Sequence, residues 1–201
     1  YVGGLAPGNA LYPIFKYMNL MDLPWQHLDA DGFDRVMIEG RNFAYAEGLD
    51  NFVETLAKDF PNEREGLRQY AEIMREIGKH LHDAILPRDE VDFFNNSLFA
   101  QSAYEFLNKT FQDPLLKNVL CGSSLKMELD KDTLPLYTFA QGNNSFIESS
   151  WRLKGDGSLL VDSLINDIRS MGGEVICDAG VQELIEEDGK LHAALTVHGD
   201  L

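Results

Sequence analysis

Cysteine is scarce: Cys121 and Cys177 are the two in 201 residues. That number excludes a disulfide framework, and no Cys/His metal-ligand spacing surrounds them, so a reducing, cytoplasmic setting is expected. No apolar run approaches the ~18–20 residues that cross a bilayer. The opening YVGGLAPGNALYPIF lacks the basic region and apolar core of a signal peptide. Positive charge is also short, with 17 Lys and Arg against 33 Asp and Glu and a formal net of −16. This argues against nucleic-acid backbones and anionic membrane surfaces as main partners, and the acid excess reads as solubility. Finally, G-x-G-x-x-G occurs nowhere, so the chain holds no self-contained dinucleotide phosphate loop. Repeats and low-complexity stretches are absent as well.

What the sequence does contain is patterned. Residues 1–31 are punctuated by Gly and Pro, with a short apolar helix expected around LYPIFKYMNL. FDRVMIEGRNFAYAEG (33–48) alternates as a hairpin, with Gly40 in its turn. LDNFVETLAKDF places Phe52, Leu56 and Phe60 on one helical face and stops at Pro61. The next helix opens on Asn62-x-x-Glu65, the pattern of a capping box. Its apolar residues Leu67, Tyr70, Met74, Ile77 and Leu81 step by three and four into a narrow seam. Residues 91–150 are aromatic-rich (Phe93, Phe94, Phe99, Phe106, Phe111, Phe139) and read as short helices broken by Pro114, Pro135 and Gly142. Asp113 is the expected N-cap of one of them, with Pro114 at its first position. After Trp151 come a helix with Leu160, Val161, Leu164, Ile165 and Ile168 on one face, a Gly172-Gly173 stop, and a short strand EVIC. The end is a hairpin turning at Asp188-Gly189, its second strand alternating Leu191, Ala193, Leu195 and Val197. Periodicity therefore predicts an α+β protein: a mainly helical domain with a small antiparallel sheet over residues 1–150, and a helix-strand-hairpin unit over 151–201.

Several short constellations invite a chemical reading and are better explained structurally. HLDADGF resembles part of a calcium loop, but His27 and Ile38 fall where the cage needs carboxylates, so an Asp-rich turn is expected. His80 and His82 sit two apart on a helix and face different ways, so they read as solvated, as do His192 and His198 on the last strand. Ser123-Ser124 has no nucleophile elbow or matching His/Asp set. The glycines of GDG at 155–157 open a helix, yet Leu160 stands where the third glycine of a phosphate loop belongs; a tight turn suffices. The aromatic middle is read as core before it is read as a ligand tunnel.

The order of segments resembles a known family. WRLKGDGSLLVDSLINDIRSMGGEVICDAGVQELIEEDGKL is similar to a stretch of FAD-dependent carotenoid desaturases, carotenoid isomerases and retinol saturases, the phytoene dehydrogenase-like members of the amine-oxidase-like flavoprotein superfamily. In these an aromatic strand, a Gly-Gly turn, a helix, a Gly-Gly stop and a strand follow in sequence. YVGG resembles the family's His-Tyr-x-Gly segment, and residues 33–74 resemble its passage of hairpin, L-x-x-x-FP and long helix. The resemblance implies a discontinuous FAD-binding domain interrupted by an inserted substrate domain. Residues 1–150 would be substrate domain, and 151–201 the returning part of the FAD domain. The phosphate loop is then expected upstream of Tyr1, and the closing strand downstream of Leu201.

By the same resemblance, Val181 would contact the adenine end of FAD through its backbone. Gly3 and Gly4 would approach the flavin, and Gly155 and Gly157 match the Gly-Gly turn, with Asp156 interrupting it. No catalytic residue carries over, and no metal is implied. The implied activity of the intact parent is desaturation, saturation or isomerisation of a long apolar polyene, a carotenoid or retinoid, with the 201-residue piece itself inactive. Membrane association of the parent stays open, and the piece can homodimerise through its uncovered apolar faces. Two alternatives remain: an amine-oxidase-like flavoenzyme, and a non-catalytic module that binds an apolar ligand or a partner through the Leu67–Leu81 seam.

Overall fold

A computed structural model describes residues 1–84, 100–123 and 133–200, without the side chains of residues 80–84 and 200. The chain divides into two compact units, Tyr1–Gly157 and Ser158–Leu201. The first runs β1 (Val2–Gly3), α1 (Tyr12–Tyr17), β2 (Trp25–His27), β3 (Asp34–Ile38), β4 (Arg41–Tyr45), α2 (Leu49–Asp59), α3 (Arg64–Ala84), α4 (Ala103–Thr110), α5 (Pro114–Leu120), α6 (Leu136–Glu148) and β5 (Ser150–Leu153), with 3-10 turns at Leu20–Asp22 and Pro61–Glu63. The second holds α7 (Ser158–Ser170), β6 (Val181–Glu187), β7 (Lys190–Thr196) and β8 (Gly199–Asp200). Every strand pair is antiparallel, and the class is α+β.

The first unit is built on the two predicted patterns. The hairpin β3–β4 turns through Glu39 and Gly40, both at positive φ (54° and 74°), the geometry that matches strand twist. It sends Phe43 and Tyr45 inward. The α2 face of Phe52, Val53 and Leu56 meets them, as does the α3 seam of Leu67, Tyr70, Met74 and Ile77. Their rings interlock: Phe43 stacks on Phe60 at 5.4 Å and Phe52 on Tyr70 at 5.9 Å, while Tyr70 meets Phe139 of α6 edge-on at 6.1 Å. Each such side chain contributes about 1.5–3 kcal/mol by leaving water. The Tyr45 hydroxyl donates to the Val119 carbonyl, and burial raises both the Tyr45 and the Tyr70 hydroxyl above the usual tyrosine range. Phe106, Phe111 and Phe139 belong to this core.

Polar groups finish the packing. Asp113 caps α5, its Oδ1 accepting from the N–H groups of Leu115 (2.8 Å) and Leu116 (3.2 Å). Glu63, only 8% exposed, accepts from the backbone N–H groups of Gln112 and Asp113. It thereby ties the start of α3 to the α4–α5 connection.

Four expectations need correction. The Asn62/Glu65 capping box does not form; the 3-10 turn leads straight into α3, and Glu65 pairs with Arg68 at 3.4 Å. Gly142 does not break its helix, since α6 runs through it from Leu136 to Glu148 and buries Asn143 and Asn144. EVIC (174–177) is not a strand. A short extended run gains nothing without a neighbour to accept its backbone hydrogen bonds. Val197 and His198 form the turn between β7 and β8 rather than strand, with the His198 N–H donating to Thr196 Oγ1 at 3.2 Å. The side chains of His80, Leu81 and His82, together with Phe93, Phe94, Phe99 and Ser124, lie outside the described residues.

The second unit is different in kind. Its hairpin turns at Asp188 and Gly189, both at positive φ (52° and 74°), as their sequence predicts. Yet α7 buries none of its 13 residues, and Thr196 is the one buried residue among those described in the unit. Isolated helices of about 12–15 residues are marginal in water, so such an element draws its stability from a covered apolar face.

Candidate functional site

The five candidate cofactor residues fall in three places. Gly3 ends β1, with Gly4 just after it, and β1 pairs with β5 (Val2 opposite Trp151, Gly3 opposite Ser150). β5 pairs in turn with β2, giving a sheet of order β1-β5-β2. A side chain at Gly3 could not fit: its Cβ would stand 2.5 Å from the Ser145 carbonyl carbon and 2.7 Å from the Phe146 nitrogen, both α6 backbone. Gly4 has φ of +75°, a region costly for residues with a Cβ. Its N–H donates to the Ser149 carbonyl (2.8 Å) and its carbonyl accepts from the Leu11 N–H (3.2 Å). Packing and chain direction thus account for both glycines. Gly155, at φ of +114°, and Gly157, with open space where a Cβ would stand, form an exposed turn.

Val181 begins β6 in the second unit, opposite Thr196, and is 57% exposed. Sheet order β6-β7-β8 leaves β6 at an edge. Exposed apolar side chains gather on this unit: Val161, Ile168 and Met171 on or just after α7, Leu184 on β6, and Leu191 on β7.

The β1-β5-β2 sheet also carries side chains whose partners the sequence conceals. His27 Nε2 and Glu47 Oε2 lie 2.6 Å apart, and the His27 ring stacks on Trp151 at 4.6 Å. Tyr1 stacks on Phe146 at 4.7 Å, and partial burial raises its hydroxyl above the ordinary range. Among the described residues, the buried Trp151 Nε1 has no hydrogen-bond partner. His27 ends β2 and Glu47 lies between β4 and α2, with a hairpin between them, so no local motif announces the pair. The Asp-rich turn between them forms as expected, Asp29 Oδ1 accepting from the Asp31 N–H at 3.0 Å. Ser123 has a structural partner, Asn143 Oδ1.

Two surface grooves lie among the described residues. One of about 270 Å³ lies between α2 and α3, lined by Asp50, Glu54, Arg68, Glu72 and Arg75. It is crossed by ion pairs of Arg75 with Asp50 (3.1 Å) and Arg64 with Glu54. The other, about 390 Å³, runs beside Glu63 and Asp113. Both are charged and suit no apolar ligand. The described residues do not by themselves form a cradle for a dinucleotide. Gly157 has open space where a Cβ would stand, Gly4 has both backbone groups engaged, and Val181 lies on an edge strand. Among the described residues, no group of three His, Cys, Asp or Glu is arranged to hold a metal ion.

No family model matches the chain. It is similar to all-trans-retinol 13,14-reductase of Danio rerio, at 24% identity over 212 residues. The match covers 94% of this chain and 34% of that protein, so the chain spans about a third of its relative's length. By its name the relative reduces all-trans-retinol. Among the described residues no helix is long and apolar enough to cross a membrane.

Proposed function

We propose that the chain is the inserted substrate domain, plus the returning helix and hairpin of the cofactor domain, of an FAD-dependent oxidoreductase acting on a long apolar polyene of the retinoid or carotenoid kind. The observation that carries this reading is the second unit: a 13-residue helix with no buried side chain beside a sheet whose long strand β6 stands at an edge. Neither element is stable as an isolated piece. Both have the surface expected of elements that pack on a dinucleotide-binding fold supplied by other residues. EVIC lacks strand form for the same reason, because in this reading its hydrogen-bond neighbours belong to that fold.

The retinol reductase relative supports an oxidoreductase parent, and its named substrate favours a polyene over an amine. Flavin, when bound, supplies hydride transfer to or from carbon. The residues of this chain position and exclude water. Val181 would offer its backbone at the β6 edge, while Gly3 and Gly4 hold β1 against α6 and so set where β5 and Trp151 stand. The 201 residues alone would be inactive. The test is expression of the full-length gene product, which should purify yellow with a flavin absorbance band. A colourless protein indifferent to added FAD would overturn the reading.

A further inference from the structure

A group that moves a proton to or from carbon must be oriented by the protein and open to its substrate. Among the described residues, three histidine side chains differ in how they are held. His192 and Glu187 lie 3.9 Å apart, both exposed, and the His198 ring reaches a backbone carbonyl, that of Asp178, at 3.1 Å. His27 alone of the three meets a carboxylate at hydrogen-bond distance. Its Nε2 and Glu47 Oε2 are 2.6 Å apart, with Glu47 the more buried, 19% exposed against 42%. An ionised carboxylate only accepts, so Nε2 carries the proton and a neutral ring keeps its lone pair on Nδ1. Among the described residues no hydrogen bond reaches Nδ1. The ring itself lies on Trp151 at 4.6 Å. This is the arrangement of a base held by an orienting carboxylate, with its second nitrogen open.

We propose that His27, positioned by Glu47, is the proton-transfer residue of the oxidoreduction proposed above, a role that rests on that reading. In the reducing direction a carbon–carbon π bond of the polyene breaks. One carbon takes a hydride supplied by reduced flavin, which loses two electrons. The other carbon takes the proton of Nδ1–H, and water reprotonates the imidazole left behind. In desaturation the Nδ1 lone pair takes the proton and oxidised flavin the hydride. Strand register agrees with this placement. Val2, Trp151 and His27 stand opposite one another in one row across β1, β5 and β2. Adjacent strands lie about 4.8 Å apart, so His27 stands roughly 10 Å across the sheet from Val2. Gly3 and Gly4, which the flavin reading brings near the cofactor, follow Val2 directly. A conjugated carbon chain bridges such a span. The neighbourhood also suits an apolar substrate, since residues 1–28 hold only Lys16 and Asp22 as charged side chains besides His27.

The test reduces the full-length gene product without oxygen and follows flavin reoxidation by all-trans-retinol as the probe. His27→Gln, which keeps a hydrogen bond to Glu47, should bind flavin and retinol as the wild type does. It should slow reoxidation about 100-fold or more, the low end of what general acid catalysis supplies. Glu47→Ala should slow it as well. Two readouts are independent of turnover. In the 201-residue chain, nitrogen NMR of the neutral His27 ring should find the proton on Nε2, and Glu47→Ala should shift that resonance. In the full-length protein, bound retinol should shield His27 from diethyl pyrocarbonate. The role is overturned by wild-type reoxidation in His27→Gln, by a proton on Nδ1 or a resonance indifferent to Glu47→Ala, or by undiminished His27 reactivity with retinol bound. Any of these in a flavin-bearing parent leaves the flavin reading standing. A parent without flavin, or one whose reduced flavin retinol does not reoxidise, overturns the function proposed above and this role with it.

Discussion

Glu63→Ala is expected to destabilise the first unit by about 3–5 kcal/mol, because each hydrogen bond to a charged acceptor is worth roughly 1.5–3 kcal/mol. The carboxylate is 8% exposed and receives the N–H groups of Gln112 (2.8 Å) and Asp113. Alanine would leave both donors without the carboxylate, with only water from the neighbouring groove to replace it. The damage should spread, since Asp113 caps α5 and α5 supplies Leu116, Val119 and Leu120 to the core. Glu63→Gln keeps an acceptor and loses the charge, so about 1–2 kcal/mol is expected from the weaker neutral bonds. Both tryptophans, Trp25 and Trp151, lie in the first unit, so urea unfolding followed by tryptophan emission reports on that unit. Equal midpoints for Ala and wild type would show that Glu63 does not hold this junction.

Gly3→Ala is the second large effect. A Cβ would sit 2.5 Å from the Ser145 carbonyl carbon and 2.6 Å from its oxygen, and helix backbone cannot move aside as a flexible side chain can. Overpacking of this kind costs about 1–3 kcal/mol, occasionally more. Because β1 is only two residues long, it should peel from β5, separating Tyr1 from Phe146 and changing the surroundings of Trp151. Gly4→Ala should cost less, about 1–2 kcal/mol for the left-handed backbone, since its nearest obstacle is 3.8 Å away. Measured midpoints should rank wild type above Gly4→Ala above Gly3→Ala. An unaltered midpoint and emission spectrum for Gly3→Ala would refute the close approach to α6.

Where periodicity and local chemistry agree, the sequence is readable. The hairpin over 33–48, the α2 and α3 faces, the Pro61 break, the Asp113-Pro114 cap and the Asp188-Gly189 turn are each set within a few residues. What escapes is set across the chain. The β1-β5-β2 sheet joins strands of two to four residues separated by more than a hundred, too short for alternation to show. Gly142 is tolerated inside α6 because flanking residues such as Phe139, Ala140 and Ile147 are buried, a tertiary override of weak propensity. His27 and Glu47 meet only because the turn and the β3–β4 hairpin fold back between them. The five candidate cofactor residues come from resemblance alone. Gly3, Gly4, Gly155, Gly157 and Val181 carry no chemistry a pattern could reveal, and the structure places them on separate elements. EVIC failed as a strand for an instructive reason: four extended residues are a strand only when something lies alongside them.

Amide hydrogen exchange over residues 158–200, compared between this chain and the FAD-loaded full-length protein, bears most directly on whether the second unit is shaped for a neighbour it lacks. Amides of Glu174–Cys177 and of α7 should exchange at nearly unprotected rates here and become strongly protected in the larger protein. Equal protection in both, with the closing helix and hairpin already exchanging slowly in the 201-residue chain, would show a unit sufficient in itself and would contradict the proposed parent.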